Sequence, residues 1–330
     1  MKVTSLYFDL RDFDRYHRAD WEGRLERWLM QPAEKSVVRA THPDDADYII
    51  DVTSRYSLIG GRVFTPEANS HYARRPESTF VWDAGDHPTG LMPGIYCSLS
   101  RRLARSSRHR GFCYPLRMNP LVQPYPVDEA KFLYGFSGNI TSPLRAKLFR
   151  TLEPEAKSGR ALLRLTESIF HRIYDPASDL ERNRYANDLR QSRFVLCPRG
   201  NGLASIRLFE TMEAARVPVI LSDAHHLPEC VDWASCSIQV AERNLAAIPQ
   251  ILADAEPRWA ELAQNARREW ERCFGDETLL ANLVAQLNAI REARRFREST
   301  DRRLFIPRIL PSYATVRAKQ FVRFIQRKLP

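Results

Sequence analysis

Short apolar runs and amphipathic stretches take turns along most of the chain. Runs such as SVV at 36–38, DYIIDV at 47–52 and TFVWDAG at 79–85 have strand length, while WEGRLERWLM at 21–30 spaces its apolar positions as a helix does. That alternation predicts an α/β chain with a largely parallel sheet. Asp44, Asp45 and Asp47, around the start of the second run, suit a capped and solvated turn better than a metal site. A proline-rich passage, YPLRMNPLVQPYPVDEAK at 114–131, breaks any regular element and reads as a crossing between domains.

Behind the crossing the pattern restarts. KFLYGFSG at 131–138 predicts a strand closing on small residues, SPLRAKLFRTL at 142–152 a helix with Pro143 near its start, RALLRLT at 160–166 a strand and NRYANDLRQ at 183–191 a helix. RFVLC, the helix SIRLFETMEAA, VPVILSD and the short strand CSIQV follow, with helices from about 242 onward. The expected organisation is a first α/β domain over 1–125, a second over 126–300 and a basic tail over 301–330.

Composition sharpens this picture. A chain of 330 residues exceeds one average core, and 44% hydrophobic with 27% charged residues is a globular composition. The N-terminus MKVTSLYFDLRDFDRY is charged and no run of about 18 apolar residues occurs, so a cytoplasmic protein is expected. Cys97, Cys113, Cys197, Cys230, Cys236 and Cys273 form no CxxC pair, which predicts buried thiols rather than a zinc site or a disulfide framework.

The net charge of +10 is unevenly spread: residues 286–330 hold twelve Arg or Lys against Glu292, Glu298 and Asp301, leaving about +1 for the rest. Over 312–329, helical spacing puts Ala318, Phe321, Val322, Ile325 and Leu329 on one face and Lys319, Arg323 and Arg327 on the opposite one. Two readings stay open, a peripheral association with an anionic membrane surface on its inner face and a helix that packs back on the first domain. Without aromatic interleaving, nucleic acid is disfavoured as a partner.

The chemistry gathers in SRFVLCPRGNGLASIRLFETMEAARVPVILSD at 192–223. Between two apolar runs stand a Pro-Arg-Gly corner, Gly200, Asn201, Gly202 and Ser205, where a strand hands over to a helix. Glycines allow close backbone approach, Ser205 can cap the helix, and a helix N-terminus offers unpaired N–H groups to an anion. Spacing puts Leu208, Phe209, Met212 and Ala215 on one side and Arg207, Glu210, Thr211 and Ala214 on the other, leaving Arg207 and Glu210 for an edge or cleft. A guanidinium suits a diphosphate and a carboxylate suits a ribose diol; an i,i+3 surface pair accounts equally well for the two residues.

Together with LPECVDWASCSIQV at 227–240, this stretch resembles the donor-binding segment of the exostosin family of glycosyltransferases. Weaker likeness runs through HPDDADYI, FVWDAGD and FLYGFSGNITSPLRAKLF. The resemblance implies a GT-B fold, two Rossmann-like domains facing across a cleft, and inverting transfer from a nucleotide-sugar, a UDP-sugar above all, without a metal and without a cofactor. It assigns the donor diphosphate to Arg199 and Arg207 with Gly200, Asn201, Gly202 and Ser205 as its seat, and the ribose to Glu210. The family usually has Gly where this chain has Ala215 ahead of Arg216, so a different turn is expected there.

Ser137, Gly138 and Asn139 end a second-domain strand and are candidates for donor or acceptor contact, against a plain turn; Arg145, a turn into the next helix, suits a structural role. An inverting transfer needs a base. Asp83, Asp86 and His87 close a first-domain strand, and Asp86 is the residue assigned to that task. His225 and His226 stand between donor contact and capping, and Trp82 and Trp233 between stacking on a ligand and core packing. The function expected is transfer to a glycan or lipid-linked acceptor in polysaccharide biosynthesis, with a non-catalytic nucleotide- or sugar-binding partner as the alternative.

Overall fold

The computed structural model describes residues 3–11, 18–31, 36–59, 70–115, 119–166 and 176–328. Two compact units emerge: unit 1 comprises Met1–Leu116, Ala224–Pro228 and Asp276–Pro330, and unit 2 comprises Arg117–Asp223 and Glu229–Gly275. Each is a Rossmann-like α/β unit built on a parallel sheet, the pair of domains that the GT-B class requires.

In unit 1 the apolar runs form β1 (Thr4–Asp9), β2 (Val37–Arg39), β3 (Tyr48–Thr53), β4 (Thr79–Asp83), β5 (Gly94–Tyr96) and β6 (His109–Gly111), ordered β2-β1-β3-β4-β5-β6. Helices α1 (Arg18–Met30) and α2 (His71–Arg74) connect the early strands. Trp21 on α1 meets Trp28 of the same helix and Trp82 of β4 edge to face, as Trp82 does Phe112, with ring centres 5.4 Å apart, and Trp28 stacks on Trp82 at 6.2 Å. Trp82 is fully buried, its indole N–H donating to the Cys113 carbonyl at 2.9 Å, so it is core and not a stacking platform.

Unit 2 runs β7 (Phe132–Gly138), α3 (Pro143–Lys157), β8 (Ala161–Leu165), α4 (Pro176–Arg190), β9 (Ser192–Pro198), α5 (Ile206–Glu213), β10 (Val217–Leu221), α6 (Trp233–Cys236), β11 (Ile238–Gln239), α7 (Ile248–Ala255) and α8 (Trp259–Phe274). Its sheet order is β11-β10-β9-β7-β8. The proline-rich crossing belongs to this unit: Arg216, fully buried, donates to the carbonyls of Tyr125 and Pro126, both at 2.9 Å, and to that of Arg190.

Unit 1 takes back the end of the chain, so the expected breaks after 125 and 300 are not where the structure divides. Helix α9 (Leu279–Ala293) is followed by α10 (Glu298–Lys328), which holds Glu298 and Asp301 against Arg108, Glu298 at 2.8 Å and Asp301 at 2.9 Å. Tyr72 donates to Glu298 at 2.6 Å, and Phe305 and Ile309 join the apolar cluster of Tyr72, Leu91 and Tyr96. A charged segment that looked like a tail is docked because its acids answer a buried guanidinium. The two-faced stretch expected at 312–329 continues as helix to 328, but its side chains from 319 lie outside the described residues. Among the described residues no helix is long and apolar enough to cross a membrane.

Candidate functional site

From β7 the chain of unit 2 moves outward to β8, then returns to build β9, β10 and β11 on the other flank. The carboxyl ends of β7 and β9 are therefore a topological switch point, where the loops diverge and ligands of open α/β sheets bind. Both singled-out loops lie there. Arg145 donates to the carbonyls of Asn139 at 3.1 Å and Pro198 at 3.2 Å, so its structural role holds. Ser142 caps α3 and donates to the Arg199 carbonyl at 3.2 Å. Arg207 Nη2 donates to the Ser137 carbonyl, and the guanidinium lies 4.4 Å from the Phe136 ring centre.

These approaches explain two glycines. A Cβ on Gly138 would stand 2.5 Å from Arg207 Nη2, and one on Gly200 would stand 3.1 Å from the Thr141 hydroxyl and 3.3 Å from Arg145 Nη2. Arg199 is half-buried and pairs with Glu242 at 2.8 Å, Asn201 is exposed and Gly202 is buried. The structure thus brings Ser137, Gly138, Asn139, Arg199, Gly200 and Arg207 together at one crossing.

Three expectations are corrected there. Ser205 occupies the N-cap position of α5, yet its hydroxyl makes no capping bond. Arg207 and Glu210 do not stand at an open edge: each is 6% exposed, because α4 brings Tyr185 against them. The Tyr185 hydroxyl donates to Glu210 Oε2 at 2.6 Å, and its ring lies 5.7 Å from the Arg207 guanidinium carbon. Arg207 Nε and Nη1 are buried without a hydrogen-bond partner, beside a small cavity lined also by Ser137, Asp188 and Ser192. Tyr185 went unnoticed because no local pattern links it to α5.

The turn after α5 is the third. Ala215 adopts φ +53° while Arg216 and Ala215 N–H groups donate back to the Thr211 and Met212 carbonyls. This is the left-handed helix ending that glycine favours, made here with alanine. The turn at Ala215 is therefore one that a glycine at this position would also make.

The remaining candidates fall in unit 1. Asp86 is exposed just past β4, and its carbonyl accepts from Ser98 at 3.3 Å. Asp83, at the end of the same strand, is fully buried, and burial pushes its carboxyl up to about 7. Burial also lowers His87, against the pull of Asp86. His225 is buried with Nε2 at 2.9 Å from the Cys97 carbonyl and is pushed down to about 4 by that burial, and the His226 N–H donates to the Leu99 carbonyl; neither caps a helix. Trp233 begins α6 and is half-buried. Of the six thiols five are buried, and Cys230 is half-buried. Among the described residues no group of three or more His, Cys, Asp or Glu is placed to hold a metal ion.

The family model of the exostosin GT47 domain matches residues 105–255, from β6 through the switch point of unit 2 to the end of α7. That stretch of the chain is similar to the exostosin GT47 domain. All the donor-site candidates lie inside the matched stretch and Asp86 lies outside it. The exostosin-1 homolog of Caenorhabditis elegans is 40% identical over 112 residues, 33% of this chain and 29% of that protein. Exostosin-1 of Drosophila melanogaster is 32% identical over 167 residues, 46% of this chain and 21% of that protein. The chain therefore spans under a third of the length of these exostosin relatives. Among solved structures, Anabaena HepE in complex with UDP-glucose shows a loose likeness, TM-score 0.42 at 12% identity, over 87% of this chain and 98% of that one.

Proposed function

We propose that the chain is a glycosyltransferase that uses a nucleotide-sugar, in the first place a UDP-sugar, in polysaccharide biosynthesis, with the donor held by the exostosin GT47 domain. What supports this most is the meeting of the 137–142 and 199–205 loops over the carboxyl ends of β7 and β9, with the N-terminus of α5 opening onto the same point. First-turn N–H groups of a helix have no intrahelical acceptor and carry the positive dipole end, which favours a diphosphate.

In this reading the diphosphate lies across Gly200, Asn201, Gly202 and Ser205, with Arg199 and the unspent Nε and Nη1 of Arg207 as its cations. Glu210 takes the ribose hydroxyls in exchange for its Tyr185 bond, and Ser137, Gly138 and Asn139 line the opposite loop. The transfer inverts the sugar carbon by single displacement and needs no metal ion. The acceptor is a glycan or lipid-linked glycan, and the basic segment 286–330 supports work on the inner face of an anionic membrane.

A thermal-shift screen with UDP, GDP, ADP, CMP and their sugars tests the reading. Selective stabilisation by one nucleotide, lost by at least about 1.4 kcal/mol of binding free energy in Arg207→Ala, is expected. Stabilisation without turnover of any acceptor would favour the non-catalytic binding partner. No stabilisation by any nucleotide would sink the donor site.

A further inference from the structure

The end of α8 lies against the turn that leads into α6, and both belong to unit 2. The Asp232 N–H donates to Glu269 Oε2 at 2.9 Å, Asn265 Nδ2 donates to the Ser235 carbonyl at 2.9 Å, and Arg272 Nη2 donates to the Cys230 carbonyl. Cys273, next along α8, gives its thiol proton to that same carbonyl, with Sγ 3.2 Å from the oxygen. Two cysteines distant in the chain thus meet where α8 grips the turn.

The two thiols differ in access. Cys273 is fully buried and Cys230 is half-buried. They hydrogen-bond to each other, and that contact, with burial behind it, holds the Cys273 thiol far above its ordinary range. The guanidinium of Arg272 acts on both sulfurs, tempered by its ion pair with Glu269 at 2.5 Å, and a neighbouring guanidinium favours a thiolate. Cys230 is therefore the reachable thiol beside a cation and Cys273 the enclosed thiol behind it, the disposition of an attacking and a resolving cysteine. Cys236, the other thiol of this region, is fully buried and is pushed up to about 12 by burial and by the charges of Glu269 and Asp232, so it does not compete.

We propose that Cys230 and Cys273 are a reversible modification site, at which a small-molecule disulfide oxidises the pair to one intrachain disulfide within unit 2. The Cys230 thiolate attacks one sulfur of the incoming disulfide, and the other sulfur leaves as a thiolate with the electron pair of the broken S–S bond. Cys273 then gives up its proton and attacks Cys230 Sγ, and the second small thiolate leaves. Two protein thiols are oxidised, one small disulfide is reduced to two thiols, and the protons lost by the protein end on them. With the two sulfurs in hydrogen-bond reach, a bond of about 2.05 Å asks for side-chain rotation and not for backbone travel. None of this chemistry depends on the donor site.

The bond closes the loop 230–273, which removes freedom from the unfolded chain and stabilises the folded one. It also fastens a support. Phe274, the residue after Cys273, meets Phe209 of α5 edge to face at 5.3 Å, and Arg267 donates to the Glu213 carbonyl at 2.8 Å. Helix α8 thus backs the helix that carries Arg207 and Glu210, and oxidation ties α8 down at its end.

The test takes the full chain, reduced and then exposed to glutathione disulfide at mildly alkaline pH without nucleotide, traps remaining thiols with N-ethylmaleimide and maps the peptides by mass spectrometry. A peptide pair linked through Cys230 and Cys273 is expected, with a melting temperature raised by about 5 °C or more that falls back when dithiothreitol is added. In Cys273→Ser the reaction is expected to stop with glutathione on Cys230, and in Cys230→Ser the enclosed Cys273 stays a thiol; circular dichroism of the reduced variants confirms that both are folded. Glutathione on Cys230 of the wild type with Cys273 left as a thiol, a link between any other pair, or all six thiols unmodified overturns the proposal. So does a linked protein whose melting temperature is not raised.

Discussion

The two units answer their buried charges in different ways. At and behind the switch point of unit 2 the buried cations are guanidiniums answered by carbonyl oxygens: Arg145 on Asn139 and Pro198, Arg207 on Ser137, Arg216 on Tyr125 and Pro126. Unit 1 buries the histidines His109 and His225 beside the carboxyls Asp83 and Glu298, whereas unit 2 buries carboxyls such as Asp188 and Glu210 with no histidine among its described residues. Every described histidine belongs to unit 1. Carbonyls bonded to arginine hold their geometry at any working pH, which suits a seat for a fixed anion. Titrating groups suit proton transfer, and they make the stability of their own unit depend on pH.

The contrast can be broken most severely at Glu298. Its carboxylate is fully buried against Arg108 and Tyr72. Removing Glu298 leaves the buried Arg108 to Asp301 alone and strips Tyr72 of its acceptor, so Glu298→Ala is expected to cost about 3 kcal/mol. Hydrogen exchange should show the loss in amides of unit 1 and leave those of unit 2 protected; equal loss in both would erase the distinction.

Asp83 tests the pH side. Its folded pKa, raised to about 7 by burial, lies above its unfolded value, so the native state holds the extra proton in that window and stability falls as pH rises through it. Asp83→Asn should relieve this, by an upper bound of about 4 kcal/mol at pH 8 and by nothing at pH 4. In that background the depressed His225, at about 4, should then make unit 1 weaken as pH falls below about 6.5. Urea unfolding at several pH values measures both slopes, and a flat difference between wild type and variant would remove Asp83 as the cause.

The smallest effect sharpens the comparison from the other unit. Ala215 carries a left-handed conformation at a helix end that glycine reaches without strain. Ala215→Gly should stabilise unit 2 by about 1 kcal/mol, independently of pH. A destabilised variant in thermal melts would mean that the methyl group packs to more effect than the backbone strains.

Local signals carried much of this structure. Periodicity located β2 to β4 and β7 to β11, because alternating apolar runs and turn residues are written within a few positions of each other, while β1, β5 and β6 went unread. The glycine and serine loops at 137–142 and 199–205 were legible for the same reason. What joined them was not: Tyr185 on α4 encloses Arg207 and Glu210, and nothing near either residue announces it. Cys273 against Cys230 is hidden likewise, since the contact crosses from the end of α8 to the turn ahead of α6. The domain limits failed for a third reason. Composition at 286–330 reads as a solvated basic tail, whereas the few acids within it decide its place by pairing with Arg108.

That last pairing also bears on synthesis. Apart from five residues lent to unit 1, unit 2 is one continuous run, 117–275, while unit 1 is not complete until α10 has been made. The ribosome therefore releases a finished second unit while Arg108 still waits for Glu298 and Asp301. Unit 2 can therefore close during translation before unit 1 does, since unit 1 needs α10.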